Sequence, residues 1–372
     1  VTLVNTARIT STILRCRDGL PRVRERVLRR EPLRITAFGS SITHDGYYLE
    51  PLAQALENEY AGTATDIIVR ALPGFRSSWA VFRTGTVAEL QSDLVLVEFA
   101  VNDHAVRETD EIARSVEGIV RHLRSIPQPP DVLFVYFASR LGDALERQPE
   151  IVDVWERVAK HYRIPTIDCG SLAEHLIREG RAVWLDRWPG RASWEAQPPL
   201  ALTRDLTHHT PRGGKLLGEY FAAAVIAAVE ATPASATALL PDPLRGDHFA
   251  GARTLFPADI QAPGWSRYQL DDTQRSQPAV MYFSELLVPA AAGCAFRLEF
   301  RGRHLNLWAH SAPGNILRLD GVAGPLDLPD PRIALPALLL RGAPAAQHAL
   351  EIDVRELPLQ LAAVDIIADP AV

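Results

Sequence analysis

Ser41 lies in the run Phe38-Gly39-Ser40-Ser41-Ile42-Thr43, directly behind a short apolar strand pattern, and far downstream Asp205 and His208 stand three residues apart. These are the parts of a hydroxyl nucleophile. A serine hydroxyl attacks poorly until a base takes its proton, and a histidine is a dependable base only when a carboxylate fixes its tautomer. A three-residue offset in a non-helical loop lets the carboxylate reach Nδ1 of the imidazole while Nε2 faces the serine. A serine at a strand-to-helix turn also directs its backbone NH toward the space its hydroxyl faces, so it can attack and help bind the resulting oxyanion. Taken alone the serine is weak support, because a serine after a strand is more often an N-cap or a phosphate contact.

Two further segments follow strands. Gly74, in Ala71-Leu72-Pro73-Gly74-Phe75-Arg76-Ser77, lets the backbone approach a ligand and offers an NH to developing negative charge. Asn102, in Glu98-Phe99-Ala100-Val101-Asn102-Asp103, carries a neutral NH2 that can hold an oxyanion. A plain turn glycine and an Asx turn are the alternatives. In the loop Asp205-Leu206-Thr207-His208-His209-Thr210-Pro211, His208 is the better base. His209 points elsewhere if the loop is extended, as a surface or supporting residue. A mononuclear metal site from Asp205, His208 and His209 is the competing reading, weakened because adjacent histidines rarely converge on one ion and no fourth ligand is obvious.

The elements that must position these residues alternate between apolar runs and helical patterns. Strands are expected at Leu33 to Phe38, Asp66 to Ala71, Leu94 to Phe99, Val132 to Phe137 and Thr166 to Asp168. Helices are expected at Tyr48 to Glu59, Ile112 to Arg124, Ile151 to His161 and Gly214 to Val229. The expectation is a three-layer α/β/α domain with a parallel sheet, whose ligands bind at the carboxyl ends of the strands. Ser41, Gly74 and Asn102 each come just after such an end. Beyond a Pro/Ala/Thr-rich stretch the period changes to two: Phe296, Leu298 and Phe300 alternate with polar residues, as do Leu350, Ile352 and Val354. With Asp320-Gly321 as a hairpin turn signal, this part reads as an antiparallel β-sandwich, jelly-roll-like. The expected division is an N-terminal docking segment over 1–32, a catalytic domain over 33–230, a linker over 231–250 and the sandwich over 251–372.

Taken together, Ser41, Gly74, Asn102 and the pair Asp205 and His208 resemble the SGNH hydrolases, also called the GDSL esterase/lipase superfamily, over residues 33 to about 229. The resemblance implies a flavodoxin-like α/β/α fold, Ser41 as nucleophile, His208 as general base and acid, and Asp205 as its orienting carboxylate. It implies an oxyanion hole from the Ser41 NH, the Gly74 NH and the Asn102 side chain. One departure concerns the turn itself: the family usually has aspartate before the nucleophile, and this chain has Ser40. The segment Leu72-Pro73-Gly74 also lacks the common asparagine start. The sandwich is similar to modules that accompany some carbohydrate esterases, with Trp265, Tyr268, Tyr282 and Trp308 as a sugar platform or as core.

Composition narrows the rest. The 372 residues carry a formal net charge of −6, which argues against a nucleic-acid partner, since such affinity rests on basic phosphate contacts. Cys16, Cys169 and Cys294 are odd in number and widely spaced, as packing thiols are. No apolar stretch approaches the roughly 20 residues that span a bilayer, so no membrane partner is expected. No signal peptide is visible, which favours a cytoplasmic protein, although a chain starting at Val1 leaves room for a removed leader. Between Arg181 and Leu200 an irregular stretch holds Trp184, Trp188 and Trp194, whose indoles can stack on sugar rings, wall off an acyl group, or simply pack. His44 and Asp45, just after Ser41, are candidates to reach the pocket mouth, with a solvated helix start as the alternative. The leading expectation is a serine esterase, without metal or cofactor, removing a small acyl group, acetyl first, from a carbohydrate or glycoconjugate. An O-acyltransferase using the same triad, and a non-catalytic glycan-binding protein, are the alternatives.

Overall fold

The computed structural model describes residues 10–186, 200–234, 240–271, 283–311, 314–325 and 336–368. The chain divides into two compact units, residues 1–250 and 251–372.

In the first unit the strands are β1 (Leu14–Arg15), β2 (Leu33–Gly39), β3 (Thr65–Ala71), β4 (Leu94–Glu98), β5 (Asp131–Tyr136) and β6 (Thr166–Asp168). They form one sheet in the order β1-β6-β5-β4-β2-β3, parallel except for β1, which runs antiparallel to β6. β4 and β5 are buried throughout, as a strand covered by helices on both faces must be, and this accounts for their unbroken apolar character. β2 sits between β3 and β4, so the chain leaves it first to one side and later to the other. A crevice opens at such a switch of direction, outside the carboxyl ends of the strands.

The helices are α1 (Pro21–Arg29), α2 (Ser41–Asp45), α3 (Leu49–Glu59), α4 (Ser77–Ala80), α5 (Thr84–Ala88), α6 (Thr109–Arg124), α7 (Ala144–His161), α8 (Cys169–Arg178) and α9 (Pro211–Glu230). Leu52 and Leu56 of α3, Tyr220, Phe221 and Val225 of α9 and Val23 of α1 share a core with Leu33, Ile35 and Leu133 of the sheet. α9 starts where the loop chemistry dictates: Thr210 accepts from the Gly213 NH at 2.9 Å, and Pro211 occupies the first turn, where no NH is needed. A short two-stranded sheet of β7 (Ala182–Val183) and β8 (Leu200–Ala201) precedes it.

Three expectations change. α7 begins at Ala144, not Ile151, and runs through Pro149; that proline forfeits only a bond to the carbonyl of Leu145, at the exposed beginning of the helix. The N-terminal segment contributes a sheet strand as well as a docked helix: β1 pairs with β6, and the Val23 NH donates to Asp131 at 2.9 Å. Residues 240–250, expected in an extended connection, belong to the first unit. Their carbonyls and NH groups find partners on α6 and α7: Glu117 accepts from Leu244 and Arg245, Arg121 donates to the Pro241 carbonyl, and His161 meets the Asp242 carbonyl.

The second unit is an antiparallel assembly of β9 (Ala252–Leu255), β10 (Trp265–Gln269), β11 (Glu285–Pro289), β12 (Ala295–Ser311), β13 (Ile316–Leu319), β14 (Val322–Pro325), β15 (Ala337–Asp353) and β16 (Leu359–Ala368), of the β-sandwich class. Alternation places Phe296, Phe300, Leu350 and Ile352 in its core. β12 shifts register between Gly302 and His304, the kind of bulge that bends a long strand. Asp320 and Gly321 both take positive φ between β13 and β14, as a two-residue hairpin turn requires. No helix among the described residues is long and apolar enough to cross a membrane.

Candidate active site

β2 ends at Gly39 and the chain turns at once into α2, with Ser40 at the N-cap and Ser41 as its first residue. The turn is tight enough that a side chain on Gly39 would meet Thr43 Oγ1 at 2.1 Å. Ser40 does not cap the helix with its own side chain. Glu98, from the end of β4, serves that end of α2 instead. Its carboxyl accepts from the Ser40 NH (3.1 Å), the Ser40 hydroxyl (3.1 Å) and the Thr43 hydroxyl (2.9 Å). Thr43 in turn shares a 3.0 Å hydrogen bond with the Tyr48 hydroxyl. A carboxyl from a neighbouring strand thus holds the turn in which Ser40 precedes Ser41.

Burial pushes the Glu98 carboxyl up to about 7, against the opposing pull of its Ser40 and Thr43 donors. A folded-state value above the ordinary carboxylate range means that the neutral acid is preferred in the fold. The associated stability is therefore full in acid and is lost as pH rises through about 7. Burial shifts Asp103 and Asp131 the same way, to about 6 and about 7. Glu98→Gln should therefore flatten, but not abolish, the decline of Tm between about pH 5 and 8, with a gain relative to the parent on the order of 1–3 kcal/mol at the alkaline end. Thermal unfolding across that range checks it.

The loop before α9 carries the imidazole. His208 Nε2 lies 2.8 Å from Ser41 Oγ, and His208 Nδ1 lies 2.8 Å from Asp205 Oδ2. The other Asp205 oxygen accepts the backbone NH of His208 at 2.7 Å and of Thr207 at 3.2 Å. Burial works to raise the Asp205 carboxyl, but the hydrogen bonds from the His208 NH and ring and from Thr207 outweigh it, and the group is held below its usual range. Leu206 adopts φ 68°, an unusual conformation for a residue with a side chain, which lets the turn bring Asp205 back to the ring. The loop is anchored by the Leu206 NH to the Leu185 carbonyl (2.7 Å), the Arg140 NH to the Leu206 carbonyl (2.9 Å), and Ser139 to Thr207 (2.6 Å).

Gly74 and Asn102 follow β3 and β4, the two neighbours of β2, and so flank the Ser41 turn. Leu72 to Phe75 form a turn closed by the Phe75 NH on the Leu72 carbonyl at 2.9 Å, with Pro73 second and Gly74 third at φ 78°, the type II pattern that favours glycine. The Asn102 amide donates to the Phe75 carbonyl at 2.9 Å, which ties the two loops together and leaves its second N–H for another acceptor. Asp103 reinforces the junction, accepting from the Ser77 NH (2.8 Å), the Ser77 hydroxyl (3.0 Å) and the Trp155 indole (2.8 Å).

Residues 37–216 match the GDSL-like Lipase/Acylhydrolase family. The chain carries a GDSL-like lipase/acylhydrolase domain. It is accordingly an ester-hydrolysing enzyme. No match is found among curated proteins. Among solved structures it is similar to a two-domain esterase described as active on acetylated mannans, co-crystallized with mannopentaose: 18% identity, TM-score 0.74, covering 98% of this chain and 99% of the other. A second structure of a two-domain esterase active on acetylated mannans gives 18% identity and TM-score 0.71 over 97% and 98% of the two chains. At that identity the likeness establishes the fold, and it extends over both units.

Other residues singled out from sequence lie variously around the GDSL-like domain. His209 is fully buried, not at the surface. Its ring meets Phe137 edge-on at 5.1 Å, and burial, with the nearby His208 and Arg204, depresses its pKa to about 3. The ring is taken up in packing against Phe137, and no group of three or more His, Cys, Asp or Glu that could hold a metal ion occurs among the described residues. His44 is exposed on α2. Trp184 packs partly buried, with its indole NH 3.3 Å from Glu174 and the Arg140 guanidinium 5.2 Å from its ring. Trp188 and Trp194 lie outside the described residues, as does Tyr282. Of the remaining aromatic platform, Trp308 is core, donating to buried Asp365 at 2.6 Å. Trp265 packs against Phe296, and Tyr268 is exposed.

The GDSL-like domain also uses residues that the sequence reading left without a role. Glu98 could have been noticed as a charged residue closing an otherwise apolar strand. Arg204, adjacent to Asp205, meets Asp45 at 2.8 Å, and nothing in a single sequence signals that pairing.

Proposed function

We propose that the protein is a serine esterase that removes an acetyl group from a carbohydrate through an acyl-enzyme on Ser41. The observation that carries this is the continuous chain Asp205–His208–Ser41, with 2.8 Å at each imidazole nitrogen. Ser41 Oγ attacks the ester carbonyl carbon as its proton passes to His208 Nε2. The carbonyl oxygen becomes an oxyanion, received by the Ser41 NH, the Gly74 NH and the Asn102 amide. As the intermediate collapses, His208 returns the proton to the departing sugar hydroxyl, leaving acetyl on Ser41. Water then gives its proton to His208 and attacks the acyl carbon. Acetate leaves, and the proton goes back to Ser41. Throughout, Asp205 keeps the Nδ1 proton in place and stabilises the imidazolium.

A glycan ester is favoured by the two-domain architecture shared with the mannan-active esterases. A short acyl group is favoured because the sequence has no long apolar segment to cover an acyl chain. The test is a panel of p-nitrophenyl acetate, butyrate and longer esters, run beside acetylated mannan and other acetylated oligosaccharides. The expected result is acetate release from at least one glycan and a kcat/KM for acetyl at least about tenfold above butyryl, the discrimination that two added methylenes can supply. Preference for long acyl chains, or silence on every glycan ester while p-nitrophenyl esters turn over, would remove the carbohydrate assignment.

A further inference from the structure

We propose that the ion pair between Asp45 and Arg204 is a positioning clamp that holds the Ser41 hydroxyl in register with the His208 imidazole. The inference rests on the Ser41–His208 reading above. Ser41 and His208 come from separate parts of the chain, and their 2.8 Å contact demands that α2 and the loop before α9 keep a fixed relation. Asp45 is the last residue of α2, one helical turn beyond Ser41. Arg204 precedes Asp205, and its backbone NH donates to the His208 carbonyl at 2.8 Å, closing the turn that carries the imidazole. The Arg204 guanidinium meets the Asp45 carboxylate at 2.8 Å, with the side chains 27% and 17% exposed. Each charge thus sits one turn or one residue from a group of the triad, on opposite sides of the hydrogen bond that must be kept.

Two features separate this pair from an ordinary surface bridge. Asp45 ends α2, the terminus that favours cations, so its place in the helix gives the carboxylate no stabilisation of its own. The loop's anchors through Leu206 and Thr207 run to Leu185, Ser139 and Arg140, and set its depth at the end of β5. The Asp45–Arg204 pair joins the loop directly to α2.

The experiment is a cycle of Arg204→Ala, Asp45→Ala and the double variant, with Arg204→Lys as the conservative replacement. It is read as kcat and KM on p-nitrophenyl acetate and as the rate of Ser41 labelling by an organophosphonate. Each single alanine should lower kcat and the labelling rate about 10- to 100-fold, with KM within about threefold. The double variant should fall no lower than the worse single, because both remove one interaction. Arg204→Lys should recover part of the loss. Losses that multiply in the double variant, an unchanged kcat and labelling rate in both singles, or a rise in KM alone would overturn the clamp. Ser41→Ala run alongside separates the two claims. If it is inactive while the clamp variants behave as the parent, only the clamp fails; if it stays active, the reading beneath it fails.

Discussion

Alanine at Ser41 is expected to lower kcat by about 10³-fold or more while leaving the fold as it is. The loss follows from geometry: the hydroxyl is the only part of Ser41 that meets His208, at 2.8 Å, and without it no acyl-enzyme forms. Folding is spared because Ser41 is not what holds its own turn. The start of α2 is tied by Ser40 and Thr43 to Glu98, and the imidazole is held by Asp205 through both its ring and its backbone NH. A partly exposed serine relieved of such duties changes stability by about 0.5 kcal/mol or less. Steady-state kinetics and thermal unfolding of one preparation check both halves.

The second large effect is expected at Asp205. Asparagine there can still accept the His208 and Thr207 NH groups through its oxygen, so the loop keeps its shape. Its NH2 then faces His208 Nδ1 as a donor. The ring must place its proton on Nε2, and that nitrogen then donates to Ser41 when it should accept. Asp205→Asn should lower kcat by about 10⁴-fold, the size of effect that a wrong imidazole tautomer produces in a triad of this kind. Combined with Ser41→Ala it should cost nothing further, because the residues act as a unit. The same variant has a signature in stability. The Asp205 carboxylate lies below its usual range, so its stabilisation is full above the ordinary carboxylate range and is lost as pH falls below that range, through the depressed folded-state value. Asparagine should remove that acid-side dependence, which unfolding in buffers below about pH 4 measures.

The parallel sheet was legible because its strands are short apolar runs between helical patterns, and the runs at β2 and β6 fall within one residue of their observed limits. Asp205 and His208 were legible because three residues of separation in a loop is a local relation. Ser41, Gly74 and Asn102 were readable as a set because each follows a strand. Pairings across long sequence distances left no trace: Asp45 meets Arg204 across 159 positions and Ser40 meets Glu98 across 58. Glu98 is visible in sequence as the charged residue closing an apolar strand, but what it binds is not, because its partners lie on another element. α7 extends before Ile151 because Pro149, near an exposed helix start, costs a single backbone bond. Residues 240–250 have the composition of a connector, and only the acceptors on α6 reveal that they are docked. Trp308, on an alternating strand, could have faced either side; its indole NH on Asp365 places it in the core.

The central claim is that Ser41 carries the acyl group, and the most direct measurement is peptide mapping after reaction with an organophosphonate. The account predicts one adduct per chain, on the peptide containing Ser41, with activity lost in proportion to labelling and no adduct in the Ser41→Ala variant. An adduct on another residue, or full ester hydrolysis by protein whose Ser41 is completely phosphonylated, would contradict it.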